Sequence, residues 1–194
     1  MDDGIAKALA RIKNSQFYEK RSAAHAPFGF FRGRFIIGGV SKFIGGVYVS
    51  PEPHEAVVVD GSLPLMEKIK TDLINHCENY SAAIALSEEA IFNYTVNYAT
   101  RLIPLSHKGV KVLSEEHQVS VDDKVSLDVF IEKEVGAERH QVLLAGFLLE
   151  ALIERKLLRG MPCISHIFAN SRFVEILNYT TPEGIILTFN PLNK

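Results

Sequence analysis

The chain has no tryptophan, only two cysteines and only three methionines in 194 residues. Two thiols, Cys77 and Cys163, cannot build a disulfide framework. The fold must therefore be held by its core, and a reducing compartment suits it. Neither sign of charge dominates: 21 Lys and Arg stand against 23 Asp and Glu, a net charge of −2. That excludes a bulk electrostatic pull toward nucleic acid. A long charge-free apolar run is also missing. The nearest stretch, Phe28 to Val49, carries Arg32, Arg34, Lys42 and six glycines. A spanning helix needs about 20 largely apolar residues, so no membrane span is expected. The start, Met1-Asp2-Asp3, is acidic where a secretory leader needs positive charge. The expectation is a cytoplasmic protein, or an effector delivered without a cleavable signal peptide. The lysine-bearing phosphate loop, Gly-x-Gly-x-x-Gly, His-x-x-x-His and Cys-x-x-Cys are all absent. No cofactor and no metal are expected.

What is present is an ordinary globular composition, 47% hydrophobic and 23% charged. The length suits one structural domain with a real core. Ile5, Leu9 and Ile12 repeat at helical spacing over residues 4–13. Residues 14–27 read as a loop. Aromatic and β-branched runs cut by glycine pairs follow, from Phe30 through Val40–Ile44 to Val49, with Ala56–Val59 after them, and read as short strands. Their glycines fit turns rather than a phosphate cradle. The rings between Phe28 and Phe35 are a candidate partner surface, with burial in the core as the alternative reading. Ser62 suits a helix cap, and Leu65, Ile69, Leu73 and Ile74 share one face up to about Asn79. Cys77 reads as a small buried hydrophobe. Ser87 caps an acidic first turn, and Pro104 ends that helix. Residues 105–125 read as loop with at most a short strand. Ser126 suits the cap of a short helix.

The chain is organised around Val135-Gly136-Ala137-Glu138-Arg139-His140-Gln141 and the apolar run Val142–Leu149. A helix apolar on all sides is a buried one. The pattern predicts a central helix over about 138–159, its polar tip Glu138–Gln141 exposed, ended by Gly160 and Pro162. Three strands follow: 163–169, 171–177 and 185–189. The class is α+β, a central helix packed on an antiparallel meander.

This ordering resembles the transglutaminase-like domains of the papain-like class. Those carry a Gly-x-Cys-Arg-His-like run at the tip of their central helix, a Gly-His-Ala-Trp-x-Glu-like run opening a later strand, and an Asp-Pro-like pair ending the next. Gly136, Arg139, His140 and Gln141 fit the first, Phe173 and Glu175 the second, and Pro191 the third. The resemblance covers 87–194. Residues 1–86 form an N-terminal helix and strand subregion packed on that core and carry no such signal. The nucleophile, base and orienting positions fall on Glu138, Ser171 and Asn190. A carboxylate is a poor acyl-transfer nucleophile, a serine hydroxyl is no base at neutral pH, and an Asn cannot steady an imidazolium by charge. The resemblance therefore implies a degenerate active site, with Arg139, His140, Phe173 and Glu175 lining its cleft. It implies a binding or regulatory module, such as a bacterial effector, with a protein or peptide partner.

Three other readings stand beside it. Glu138, His140, His166 and Glu175 could converge as an acid/base or metal-dependent hydrolase. Cys163 could act with His166, although residues three apart on a strand face opposite sides. The chain could also be an unrelated α+β domain.

Overall fold

A computed structural model of the chain describes residues 2–21, 23–24, 26–83 and 87–193, without the side chains of 81–83. The architecture is α+β, with helices packed against an open antiparallel sheet near the C-terminus. At its centre is α6, Glu138–Glu154. Every residue from Glu138 to Leu152 is buried, which is why the apolar run has no polar face. Each fully buried Leu or Phe contributes about 1.5–3 kcal/mol relative to exposure. Small residues let neighbours close on this helix. A Cβ on Gly146 would sit 2.2 Å from Phe43 Cε1. Glu150, one turn on, accepts the backbone N–H groups of Phe43 and Ile44 at 2.9 and 2.8 Å. Burial raises the Glu150 carboxyl above its ordinary value, against those two bonds.

The C-terminal sheet is a meander of β7 (Met161–Ala169), β8 (Arg172–Thr180) and β9 (Ile186–Phe189). Asn170 and Ser171, at φ 51° and 61°, make the two-residue turn that joins β7 to β8. Ile164, Leu177 and Tyr179 are fully buried and join the core around α6. Helix α3 (Glu88–Leu102) packs on the same core, with Ser87 accepting from the Ala90 N–H at its cap.

The N-terminal half joins that core instead of standing apart. Helix α1 (Asp3–Ile12) lies against β7. A small sheet of β1 (Tyr18–Glu19), β2 (Phe30–Phe31) and β3 (Arg34–Phe35) follows. Next come β4 (Val47–Tyr48), β5 (Ala56–Val58) and α2 (Pro64–Ala83). Ile37, Phe43, Tyr48, Val57, Ile69 and Leu73 share one cluster with α6. The sequence boundary at residue 86 lies outside the described residues. Of the candidate surface rings, Phe31 is fully buried and Phe28, Phe30 and Phe35 are half-buried.

Several local expectations need correction. Residues 105–125 are not loop: Ser106 caps α4 (His107–Glu116), and β6 (Lys124–Ser126) pairs parallel to β5. Only Val110 and Leu113 of α4 are buried, so its apolar signal is two residues wide. Residues 14–27 hold β1, while Val40–Ile44 form no strand because the chain there bends to reach Glu150. Ser62 does not cap α2; its hydroxyl donates to Asp60 at 2.7 Å. Ser126 precedes α5 (Leu127–Glu132) without a side-chain cap bond. Helix α6 stops at Glu154, well before Gly160, because Lys156 turns the chain left-handed at φ 64°. Strand β8 runs on to Thr180. Among the described residues no helix is long and apolar enough to cross a membrane.

Candidate functional site

The tip of α6 is built by a close backbone approach. Gly136 N–H donates to Pro104 O at 3.0 Å, and Ser106 N–H donates to Gly136 O at 2.8 Å. A Cβ on Gly136 would lie 2.1 Å from Ile103 Cγ2, so only glycine fits there. Gln141 donates to Ile103 O at 2.7 Å, fixing the same junction from the helix side.

The tip is buried, not exposed as its polarity suggests: Glu138, Arg139, His140 and Gln141 are all within 5% of complete burial. Buried charge must be paired, and the partner comes from β5's approach. Glu55 Oε1 accepts Arg139 Nε and Nη2 at 2.9 and 2.7 Å, and lies 2.8 Å from His140 Nε2. His140 Nδ1 accepts the Ala137 N–H at 2.8 Å, the reciprocal half of a capping box. That bond fixes the tautomer: Nδ1 carries a lone pair, and Nε2–H donates to Glu55. The ring stacks on Phe130 with centroids 3.7 Å apart.

The electrostatics agree. Burial, then the Arg139 charge, pushes His140 down to about 4, against the pull of Glu55. Burial alone would raise Glu55, but the His140 and Arg139 contacts outweigh it and hold the carboxyl at about 2. Beside them His54 is pushed down to about 4, first by burial and then by Arg139.

Glu138 has a different set of partners. Its Oε1 accepts Arg172 Nη2 at 2.8 Å and lies 3.1 Å from His107 Nε2. The Glu138 side chain is 3% exposed, whereas Arg172 and His107 are 37% and 54% exposed. These donors border a cleft of about 350 Å³, whose walls include His54, Glu55, His107, Lys111, Arg139 and Arg172.

The other candidate residues lie elsewhere. Ser171 is in the β7–β8 turn, adjacent to Arg172. Asn190 follows β9, whose register pairs Phe189 with Leu177, so Asn190 extends across from Ile176. That point is five residue steps along β8 from Ser171, about 16 Å at about 3.3 Å per step. Asn190 Oδ1 accepts the Leu192 N–H at 3.0 Å. Helix tip and hairpin turn are thus brought together through Arg172, and Asn190 is not brought to them.

Phe173 and Glu175 belong to a second buried network. Phe173 meets the His166 ring edge to face at 6.4 Å, with Lys7 Nζ 5.2 Å from its centroid. Glu175 accepts the Tyr48 hydroxyl at 2.8 Å. Tyr48 oxygen is 2.9 Å from His166 Nε2, and His166 Nδ1 is 2.6 Å from Asp2 Oδ1. Asp2 also caps α1 by accepting the Gly4 and Ile5 N–H groups, and its Oδ2 accepts the His166 N–H. Tyr48 is raised well above its ordinary value, by burial first and then by Glu175; the Arg139 charge acts the other way, so the two networks adjoin.

Among the described residues no group of three or more His, Cys, Asp and Glu side chains is arranged to hold a metal ion. Cys77 and Cys163 have thiols raised by burial, the opposite of activation. Composition could not have identified Glu55, Arg172, His107 or the Asp2–Tyr48 chain. Glu55 lies beside a β run and Arg172 beside a turn, and only the fold carries them to α6. Comparison with protein-family models, curated proteins and solved structures gives no match.

Proposed function

We propose that the chain is a binding module whose recognition site is the cleft at the tip of α6, and not an enzyme. The observation that carries this is the hydrogen-bond inventory there. Both His140 nitrogens are committed, to the Ala137 N–H and to Glu55. A base with neither nitrogen free cannot take a proton from substrate. The helix-tip position is filled by Glu138, whose Oε1 receives Arg172 and His107. The polar apparatus holds itself together, which suits a rigid recognition surface. In this reading the transglutaminase-like arrangement survives as a scaffold, and a protein or peptide partner presents a small side chain or terminus to the cleft.

The test is turnover. Purified protein is incubated with fluorogenic ester and amide substrates and with a glutamine-peptide/amine pair, beside a His107→Gln, Arg139→Gln variant. No difference between the two is expected. Turnover lost in the variant would overturn the binding reading and favour a hydrolase using the Glu138–His107 pair. A second reading, an α+β domain unrelated to that class, is favoured by the placement of Asn190 across from Ile176.

A further inference from the structure

We propose that the group this partner presents to the cleft is anionic, a carboxylate or phosphate on a compact apolar body, held through Arg172, His107 and Lys111, and that Glu138 competes with it for the first two. This deepens the binding reading above and rests on it.

The argument begins with the imbalance of donors. Among the described residues of the walls, Arg139, Arg172 and Lys111 are cationic and Glu55 is the only carboxylate. Glu55 is consumed by Arg139 and His140. Arg172 and His107 then converge on the single oxygen Glu138 Oε1. Among the described residues Lys111 has only a loose contact, 3.8 Å from Glu115, with both side chains largely exposed. Such an exposed pair holds little energy. The cleft thus offers more positive donors than its own carboxylates occupy.

The donors also differ in freedom. Arg139 is locked, with its side chain 6% exposed. Arg172 and His107 reach Glu138 from solvent-facing positions, so each can turn to a second acceptor at the cost of a bond to the buried Glu138 carboxylate. Arginine favours planar, bidentate oxyanions. The remaining walls include Val110, Val119 and Val121, which supply an apolar floor. At about 350 Å³ the cleft is at the small end for ligand sites.

The experiment uses the full chain with butyrate and inorganic phosphate as separate probes, followed by His107 ring signals in NMR and by calorimetry. Saturable shifts of His107 with at least one probe are expected by about 20 mM, a range that detects a Kd of about 1 mM. Preference for butyrate assigns a carboxylate ligand, and preference for phosphate a phosphorylated one. Glu138→Gln should tighten the better probe by about tenfold, and Arg172→Gln should weaken it by about tenfold. If Glu138→Gln does not fold, His107→Gln replaces it, with weakened binding expected. No saturable shift with either probe, or equal affinity in wild type and Arg172→Gln, overturns the proposal. Neither outcome bears on turnover, so this inference and the binding reading fail separately.

Discussion

His140 and His166 both have buried rings, 0% and 1% exposed, and each lies between a carboxylate and a second polar group. Their partners differ in kind. His140 Nδ1 faces a backbone N–H and must accept. His166 Nδ1 faces Asp2, whose carboxyl burial would raise but which the His166 contacts and the Ile5 N–H together hold below its ordinary value. His166 Nε2 faces Tyr48, whose single proton goes to Glu175. Nδ1 of His166 therefore faces an acceptor, the reverse of the donor that His140 Nδ1 meets. One histidine is a neutral strut beside Arg139. The other is a rivet between Asp2 and the Tyr48–Glu175 pair, holding α1 to β7. Identical side chains take opposite roles because Nδ1 meets a donor in one and an acceptor in the other. Ring-nitrogen NMR should find Nδ1 without a proton in His140 and carrying one in His166; the same state of Nδ1 in both would erase the distinction.

The largest effect is expected at the strut. Glu55→Ala leaves Arg139 charged and unpaired in a buried site, a loss of about 3–5 kcal/mol. Denaturant unfolding measures it, and a loss under about 1 kcal/mol would mean water reaches Arg139. Acid should weaken the same network. His140 sits at about 4 when folded, below the ordinary imidazole value of about 6.5. A lowered folded value gives stability that is complete above about pH 6.5 and is lost as pH falls toward the folded value near 4. The limit is on the order of 3 kcal/mol for His140. His54 shifts the same way, and Glu55 adds to the loss only below its unfolded value of about 4.3. Urea midpoints at pH 7 and pH 4.5 should differ clearly in the wild type and less in His140→Gln. Equal slopes would remove His140 as the cause.

The rivet should yield less. A Cβ on Gly4 would sit 2.2 Å from His166 Cγ. Gly4→Ala should therefore push α1 off the ring and cost about 1–3 kcal/mol, the usual range for overpacking. Hydrogen exchange should accelerate in α1 and not in α6. Uniform acceleration would mean that α1 is integral to the global unfolding unit instead of a separately fastened element.

How much of this was legible beforehand follows from the range of each signal. Helix α6 was readable because its own residues carry its burial, as were the Ser87 cap and the β7–β8–β9 meander. Helix α4 was hidden because two buried residues in ten make a weak stripe. The burial of Glu138–Gln141 was hidden for another reason. Polarity in sequence says exposed, and Glu55, 84 residues from Arg139, supplies the charge that permits the opposite. Buried polar networks satisfy hydrogen bonds across long separations, whereas periodicity reports only local faces. The Asp2–His166 contact spans 164 residues and left no local trace.

The smallest expected effect separates scaffold from chemistry. Glu138→Cys puts a thiol at a helix N-terminus beside Arg172, both of which favour thiolate over the ordinary value of about 8.5. Iodoacetamide should label it faster than Cys77 or Cys163, whose thiols are raised by burial. Adding Ser171→His and Asn190→Asp should still give no acyl transfer, because residue 190 lies across from Ile176 and about 16 Å of strand separates it from position 171. A base without its orienting carboxylate loses most of its effect. Labelling without turnover is therefore expected in the triple variant. Turnover would require β9 to slide along β8 and bring position 190 to the hairpin turn. The Leu177–Phe189 register would then be one of two, and the helix-tip cleft would retain the geometry of an enzyme.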